Sequence, residues 1–298
     1  MSPRPEAIRK SLGVWVGLAA KAISAAAVLA VAADFCPAWA QGTLVISPTR
    51  VVLEGRTRSV EVTLINTGTV TTSYRIRFKN MRMREDGALE EIEEPGPGDL
   101  FADHMMRYAP RQVVLEPGVA QTVRILLRKP KDLPPGEYRS HLEFVTVPDE
   151  TAGTDVEALD LGEGEIRVSI RMLFGVSIAV IVRHGELSAT VAVSDLVLEA
   201  GDDPDAPLAL SLRLDRSGDR SVYGDMTVTF KPDGGGGEIE VGLIRGIAVY
   251  TPNESRAVQI RLRPPEGVAL EGGRLHVAYR ERPDEGGAVL AEAELAVP

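Results

Sequence analysis

The sequence predicts an all-β protein made of two β-sandwich domains in series. Three observations predict it. Beyond Ala40, apolar residues recur at period two and almost nowhere at helical period, the mark of half-buried strands. The runs are short and are split by turn residues such as Pro117-Gly118 and Pro134-Pro135-Gly136. About seven such runs lie on either side of residue 185, the number a sandwich needs, taken twice.

In the first half the runs are 43–53, 58–66, 71–80, 111–115, 121–128, 137–147 and 166–182. Within 121–128, Val123, Ile125 and Leu127 alternate with Thr122, Arg124, Leu126 and Arg128, giving one apolar face and one wet face. Leu142, Phe144 and Val145 interleave with His141, Glu143 and Thr146. Residues 172–182 (MLFGVSIAVIV) are apolar for 11 positions. That is too short for a bilayer, which needs ~20, and reads as a central buried strand. Residues 83–107 are polar and acidic and read as a loop excursion. The second half offers runs at 186–196, 206–215, 222–230, 238–250, 256–263, 274–280 and 288–297, with turns at 202–207, 232–237 and 264–273. Arg183-His184-Gly185-Glu186 reads as the hinge between an immunoglobulin-like domain at 41–183 and a second β-sandwich domain at 186–298.

Residues 1–40 read as a secretory signal: Arg4, Arg9 and Lys10 precede the apolar stretch 22–33, and Ala38-Trp39-Ala40 fits a cleavage site before Gln41. The expected destination is outside the cytoplasm. Cys36, the only cysteine, leaves with the signal, so no disulfide, thiolate nucleophile or cysteine-based metal site is expected in the mature chain. The whole chain carries −10. Residues 1–40 hold four cations against two acids, which leaves the mature protein near −12. Nucleic-acid binding needs the opposite sign, because bound cations must replace phosphate counterions.

No reaction chemistry is legible, and no enzyme, cofactor or metal is expected. His104, His141, His184 and His276 are scattered, with no pair at metal-ligand spacing. His141 reads as an ordinary strand residue. The acidic turn at 202–205 lacks the alternating pattern of a calcium loop. Glu90, Glu91, Glu93 and Glu94 have no fixed partner to split their pKa values and read as a solvated loop. Gly234 to Gly237 lacks the Lys-Ser/Thr of a phosphate loop.

A family resemblance lies in short matches in consistent order across about 43–183. Ser47-Pro48-Thr49-Arg50-Val51-Val52 and Val60 to Asn66 resemble the first two strands of the PapD-like periplasmic pilus-assembly chaperones. Leu115-Glu116-Pro117-Gly118 before Gln121-Thr122-Val123-Arg124 resembles that family's turn into its fifth strand. Leu133-Pro134-Pro135-Gly136-Glu137-Tyr138-Arg139, followed by His141-Leu142-Glu143-Phe144, resembles its approach to the sixth. The resemblance implies two such domains in a boomerang arrangement and a chaperone that binds pilus or surface-fibre subunits, with an outer-membrane usher as a further partner. It also implies a subunit held by strand donation, in which main-chain hydrogen bonds give affinity and alternate side chains fill a groove.

The resemblance further implies a subunit carboxylate held by two basic residues at the inter-domain cleft. Arg50 matches the first, through Thr49-Arg50-Val51, and Arg171 is the nearest match to the second, with Arg167 in reserve. Gly175-Val176-Ser177 stands where the family has Tyr-Arg-Pro. Ile166, Val168, Ile170 and Met172 match the donor strand, although the same residues could simply face their own core. An anchor of this kind should lie exposed in the cleft and free of local acids; by position alone Arg50 fits better as a cap on a strand edge or the partner of a neighbouring Glu, and the resemblance reverses that order. A reading of another class is an exported adhesive or scaffolding sandwich that binds a surface partner without donating a strand. No stable membrane insertion is expected.

Overall fold

The structure, a computed structural model, describes residues 44–147, 174–199 and 208–298. The signal segment with its cleavage position, Cys36, the turn at 202–205 and residues 166–172 lie outside them. No helix among the described residues is long and apolar enough to cross a membrane. The fold is all-β, in two immunoglobulin-like sandwiches.

The run 43–53 reads as one strand but forms two. β1 (Leu44–Ser47) pairs antiparallel with β3 (Ser59–Asn66). β2 (Arg50–Leu53) pairs in parallel with β11 (Gly175–His184) in the opposite sheet, Arg50 facing Ala179. The chain crosses at Ser47-Pro48-Thr49, where proline has no N–H to continue a ladder. One sheet runs β1–β3–β9–β7, where β9 is Ala120–Leu127 and β7 is Met106–Ala109. The other runs β2–β11–β10–β4–β8, where β10 is Gly136–Val147, β4 is Thr72–Lys79 and β8 is Gln112–Leu115. Strand alternation sends Val62, Leu64, Val123 and Ile125 from one sheet against Ile76, Leu142, Phe144 and Val180 from the other, all fully buried.

The stretch 83–107 is more ordered than a solvated loop. Met83 ends β5 (Met81–Met83), which forms a hairpin with β6 (Leu89–Glu91), and a short 3₁₀ turn at Asp103–Met105 leads into β7. Met83, Ala102 and Met105 are buried. These anchors are too few and too irregularly spaced to show a period, so composition alone reads as loop. Lys79 bonds Glu91 at 2.7 Å, which gives one of the four clustered acids a fixed partner.

In the second sandwich β12 (Ala189–Glu199), β13 (Ala209–Gly218) and β16 (Ser255–Arg261) form one sheet. β15 (Ile239–Val249), β14 (Val222–Pro232), β17 (Gly273–Arg280) and β18 (Val289–Val297) form the other. Leu210, Leu214, Met226, Phe230, Leu275 and Tyr279 fill its core. The hydroxyl of Tyr279 donates to the Ile247 carbonyl at 2.9 Å, which satisfies the polar end of a buried ring.

β10 departs from the half-buried pattern. Tyr138, Leu142 and Phe144 face the first core, yet Glu137, Arg139 and His141 on the opposite face are also buried. The second sandwich covers them, and Met83, Ala179, Ile181, Ala248 and Tyr250 form an apolar cluster across the junction.

Asn66, fully buried at the end of β3, ties the β3–β4 connection to the end of β8 in the first sandwich. Its amide donates to the carbonyls of Val70 (2.7 Å) and Leu115 (3.0 Å), while its side-chain oxygen accepts from the Gly68 N–H (2.9 Å). Asn66→Ala orphans these backbone groups and should lower stability by about 1–3 kcal/mol, read as an earlier urea midpoint for the first sandwich with native near-UV circular dichroism retained.

Candidate functional site

The junction of the sandwiches is organised by Glu137 at the start of β10. Its carboxylate has no solvent exposure. It accepts from Nε of Arg183 at 3.0 Å, from the Ser221 backbone N–H at 3.1 and 3.2 Å, and from the Ser221 hydroxyl. A charge removed from water must be matched by donors or the fold loses several kcal/mol. Here the donors come from both sandwiches: Arg183 closes β11, and Ser221 stands just before β14. Arg183 also reaches Glu54 at 3.4 Å, and its carbonyl accepts from Lys129 at 2.7 Å.

Beside this tie lies a cleft of about 340 Å³, bordered by Arg50, Glu54 and Arg183 of the first sandwich and Arg220, Tyr223 and Glu285 of the second. Arg50 is carried there because it begins β2 after the chain has changed sheets. It is not free of acids. Nη1 of Arg50 lies 2.8 Å from the carboxylate of Glu285, and its guanidinium stacks over the Tyr223 ring at 4.5 Å, so only 7% of its side chain is exposed. Its Nε is buried without a hydrogen-bond partner. The Nε of Arg220 is likewise buried and unpartnered, and no carboxylate among the described residues pairs with Arg220. The sequence reading found Arg50 and assigned Arg183 to the hinge. Glu137 stands inside the motif match at Leu133 to Arg139 but is not marked there as a site residue, and Arg220, Tyr223 and Glu285 lie in strand or turn contexts that carry no local signal. Arg171, Arg167, Ile166, Val168, Ile170 and Met172 lie outside the described residues.

The second feature of the site is an edge. β11 pairs with β10 along its whole length, but β2 covers its other side only at 179–182. Among the described residues, 175–178 have no ladder partner on that side, and Val176 there is 44% exposed, beside Phe174 at 47%. Open N–H and C=O groups beside exposed apolar side chains are what an added strand pairs with.

No family model matches the chain, and no curated protein matches it in sequence. Solved structures do. The YadV chaperone is 15% identical with a TM-score of 0.43, over 85% of this chain and 99% of that one. The CupB2 chaperone of Pseudomonas aeruginosa is 13% identical with a TM-score of 0.40, over 85% and 100%. A chain of the CsuC–CsuE chaperone–tip adhesion subunit complex of Acinetobacter baumannii is 11% identical with a TM-score of 0.41, over 86% and 98%. The first two of these neighbours in fold are chaperones, and the third belongs to a chaperone–subunit complex of chaperone-usher pili.

Next to the Glu137 tie, β10 buries two further polar side chains against the second sandwich. Arg139 stacks over Tyr250 at 4.2 Å and donates to the carbonyls of Thr251 (3.2 Å) and Met81 (3.1 Å). Burial pulls the pKa of this guanidinium below its ordinary value and pushes that of the Tyr250 phenol up. His141 lies edge-on to Tyr250, with ring centroids 6.4 Å apart, and neither ring nitrogen has a partner. Burial, reinforced by the Arg139 charge, holds the His141 pKa down to about 3.

The unfolded chain protonates this imidazole near pH 6.5, while the folded chain refuses the proton until about pH 3. Stability is therefore full above pH 6.5 and is lost as pH falls toward 3. Two pH units of that window are worth about 2–3 kcal/mol. His141→Leu removes this term. The unfolding free energy from denaturant titration should fall less between pH 7 and 4.5 for the variant than for the wild type, by about that amount.

Proposed function

We propose that this chain is a periplasmic chaperone that binds and caps pilus or surface-fibre subunits, completing them with an edge strand and holding their C-terminal carboxylate at Arg50. The observation that carries the reading is the direction of β2. A strand added along 175–178 would occupy the line that β2 continues, and Arg50 begins β2 where that open edge ends, opposite Ala179. A visiting strand parallel to β11, as β2 is, would arrive at Arg50 with its C-terminus. An antiparallel visitor would bring a terminal ammonium to the same guanidinium and be repelled. A permanently charged planar fork suits a carboxylate. The motif matches at Thr49-Arg50 and around Pro134 to Arg139 point the same way.

The reading extends to Arg171, with Arg167 in reserve, as a further basic contact, and to Ile166, Val168, Ile170 and Met172 as the lent strand. It extends also to removal of residues 1–40 on export and to an usher as the acceptor of the loaded complex.

Affinity purification of the tagged protein from a periplasmic extract should recover small β-rich subunits. Truncating one partner of a desolvated charge contact costs on the order of 2–5 kcal/mol, so Arg50→Ala should recover at least tenfold less subunit per folded molecule. Arg50→Lys should fall between, because it keeps the charge and loses the fork. A partner retained in full by Arg50→Ala would favour the exported adhesive or scaffold instead.

A further inference from the structure

The fork proposed to receive a subunit carboxylate already holds one. Glu285 belongs to the turn between β17 and β18, at the end of a short 3₁₀ segment (Pro283–Glu285), and reaches across the cleft to Arg50 of the other sandwich. Its side chain is 37% exposed, against 7% for Arg50, so it closes the cleft from the solvent side. Gly286 (φ 122°) and Gly287 (φ 71°) follow immediately and turn the chain back, and nothing packs where a Cβ at Gly287 would be, so the space beside the turn is open. Because Arg50 is almost wholly buried in this pair, leaving it without a carboxylate is costly, so an entering carboxylate must replace Glu285 rather than follow its departure.

The second element is Arg220. It borders the same cleft from the second sandwich, with a buried, unpartnered Nε, and it is rigidly placed because the next residue, Ser221, is clamped by Glu137. Two further acids border the space, Glu54 and Glu281, and Glu54 is engaged by Arg183. Arg220 is left as a cation facing a cleft whose other arginines are occupied.

Resting on the reading that Arg50 receives a carboxylate, we propose that the cleft is a two-domain carboxylate site with a resident competitor. At rest Glu285 occupies Arg50. An incoming chain-terminal carboxylate displaces Glu285 and gains a second donor in Arg220. The contact makes the empty site self-capped: weak single carboxylates are excluded, and only a ligand that also pairs along the β11 edge has enough binding energy to open it. The ligand class is a polypeptide C-terminus in extended conformation.

The test uses an eight-residue peptide of alternating valine and threonine, labelled at its N-terminus, with either a free C-terminal carboxylate or a C-terminal amide, titrated against the mature protein. Glu285→Gln should bind the carboxylate peptide roughly three- to tenfold tighter than the wild type, and Arg220→Ala should bind it several-fold weaker. The amide peptide should show neither change. Two results would overturn the proposal in distinguishable ways. If the wild type and Arg50→Ala bind carboxylate and amide alike, the carboxylate reading of Arg50 fails and the competitor with it. If Arg50→Ala abolishes a clear carboxylate preference but Glu285→Gln leaves the affinity at the wild-type value, Arg50 stands as the anchor and Glu285 is not a competitor. An unchanged Arg220→Ala removes the second donor from the site. Near-UV circular dichroism of each variant confirms that the binding comparison is made between folded proteins.

Discussion

The tie at Glu137 is the interaction on which the rest of the junction depends. A fully buried carboxylate is costly unless every lone pair meets a donor. Its donors are the last arginine of β11 and Ser221, the residue just before β14. Because they come from different sandwiches, satisfying the charge and fixing the two bodies are the same event. Moving either sandwich would strand a charge in the interior, a penalty much larger than that of losing an exposed ion pair. The tie also sets its neighbours. Clamping Ser221 places Arg220 and Tyr223 at the cleft, and holding Arg183 fixes the end of the strand whose other end is open.

The cleft and the open edge are two consequences of one crossing. Had the chain stayed in one sheet after Ser47, β2 would not lie beside β11, and Arg50 would not head a ladder aligned with the free edge at 175–178. By leaving β1 in the other sheet, the crossing at Pro48 gives a short β2 that covers only part of β11. A partly covered strand is an aggregation hazard in most proteins. Beside a cleft lined by arginines it would serve, in the function we propose, as a directional receptor, because charge would select which end of a visiting strand is received.

The polar residues of β10 show a different balance. Glu137 is matched by donors, whereas Arg139 is held by a ring face and two carbonyls, and His141 is held by no hydrogen bond at all. Tyr250, from the apolar cluster with Met83, Ala179, Ile181 and Ala248, touches both Arg139 and His141, and burial at this junction keeps the imidazole neutral. The junction therefore combines a saturated ionic tie with an apolar seal, and the two unequal polar groups lie beneath that seal.

The sequence by itself determined the class of the fold, because period two is a local property: side chains alternate across a strand whatever lies on either side. It also marked the turns, since Pro-Gly pairs impose their geometry locally, and it singled out Arg50 through the short motif around it. Tertiary structure alone decided the rest. The single run 43–53 divides between two sheets because the sheet a strand joins depends on partners far along the chain. His141 and Arg139 look like wet-face residues by alternation and are buried because another domain lies over that face. Arg220 and Glu285 lie 170 and 235 residues from Arg50 along the chain and border the same cleft with it. No local pattern can encode such a meeting, because it is fixed by how two finished sandwiches close over one buried carboxylate.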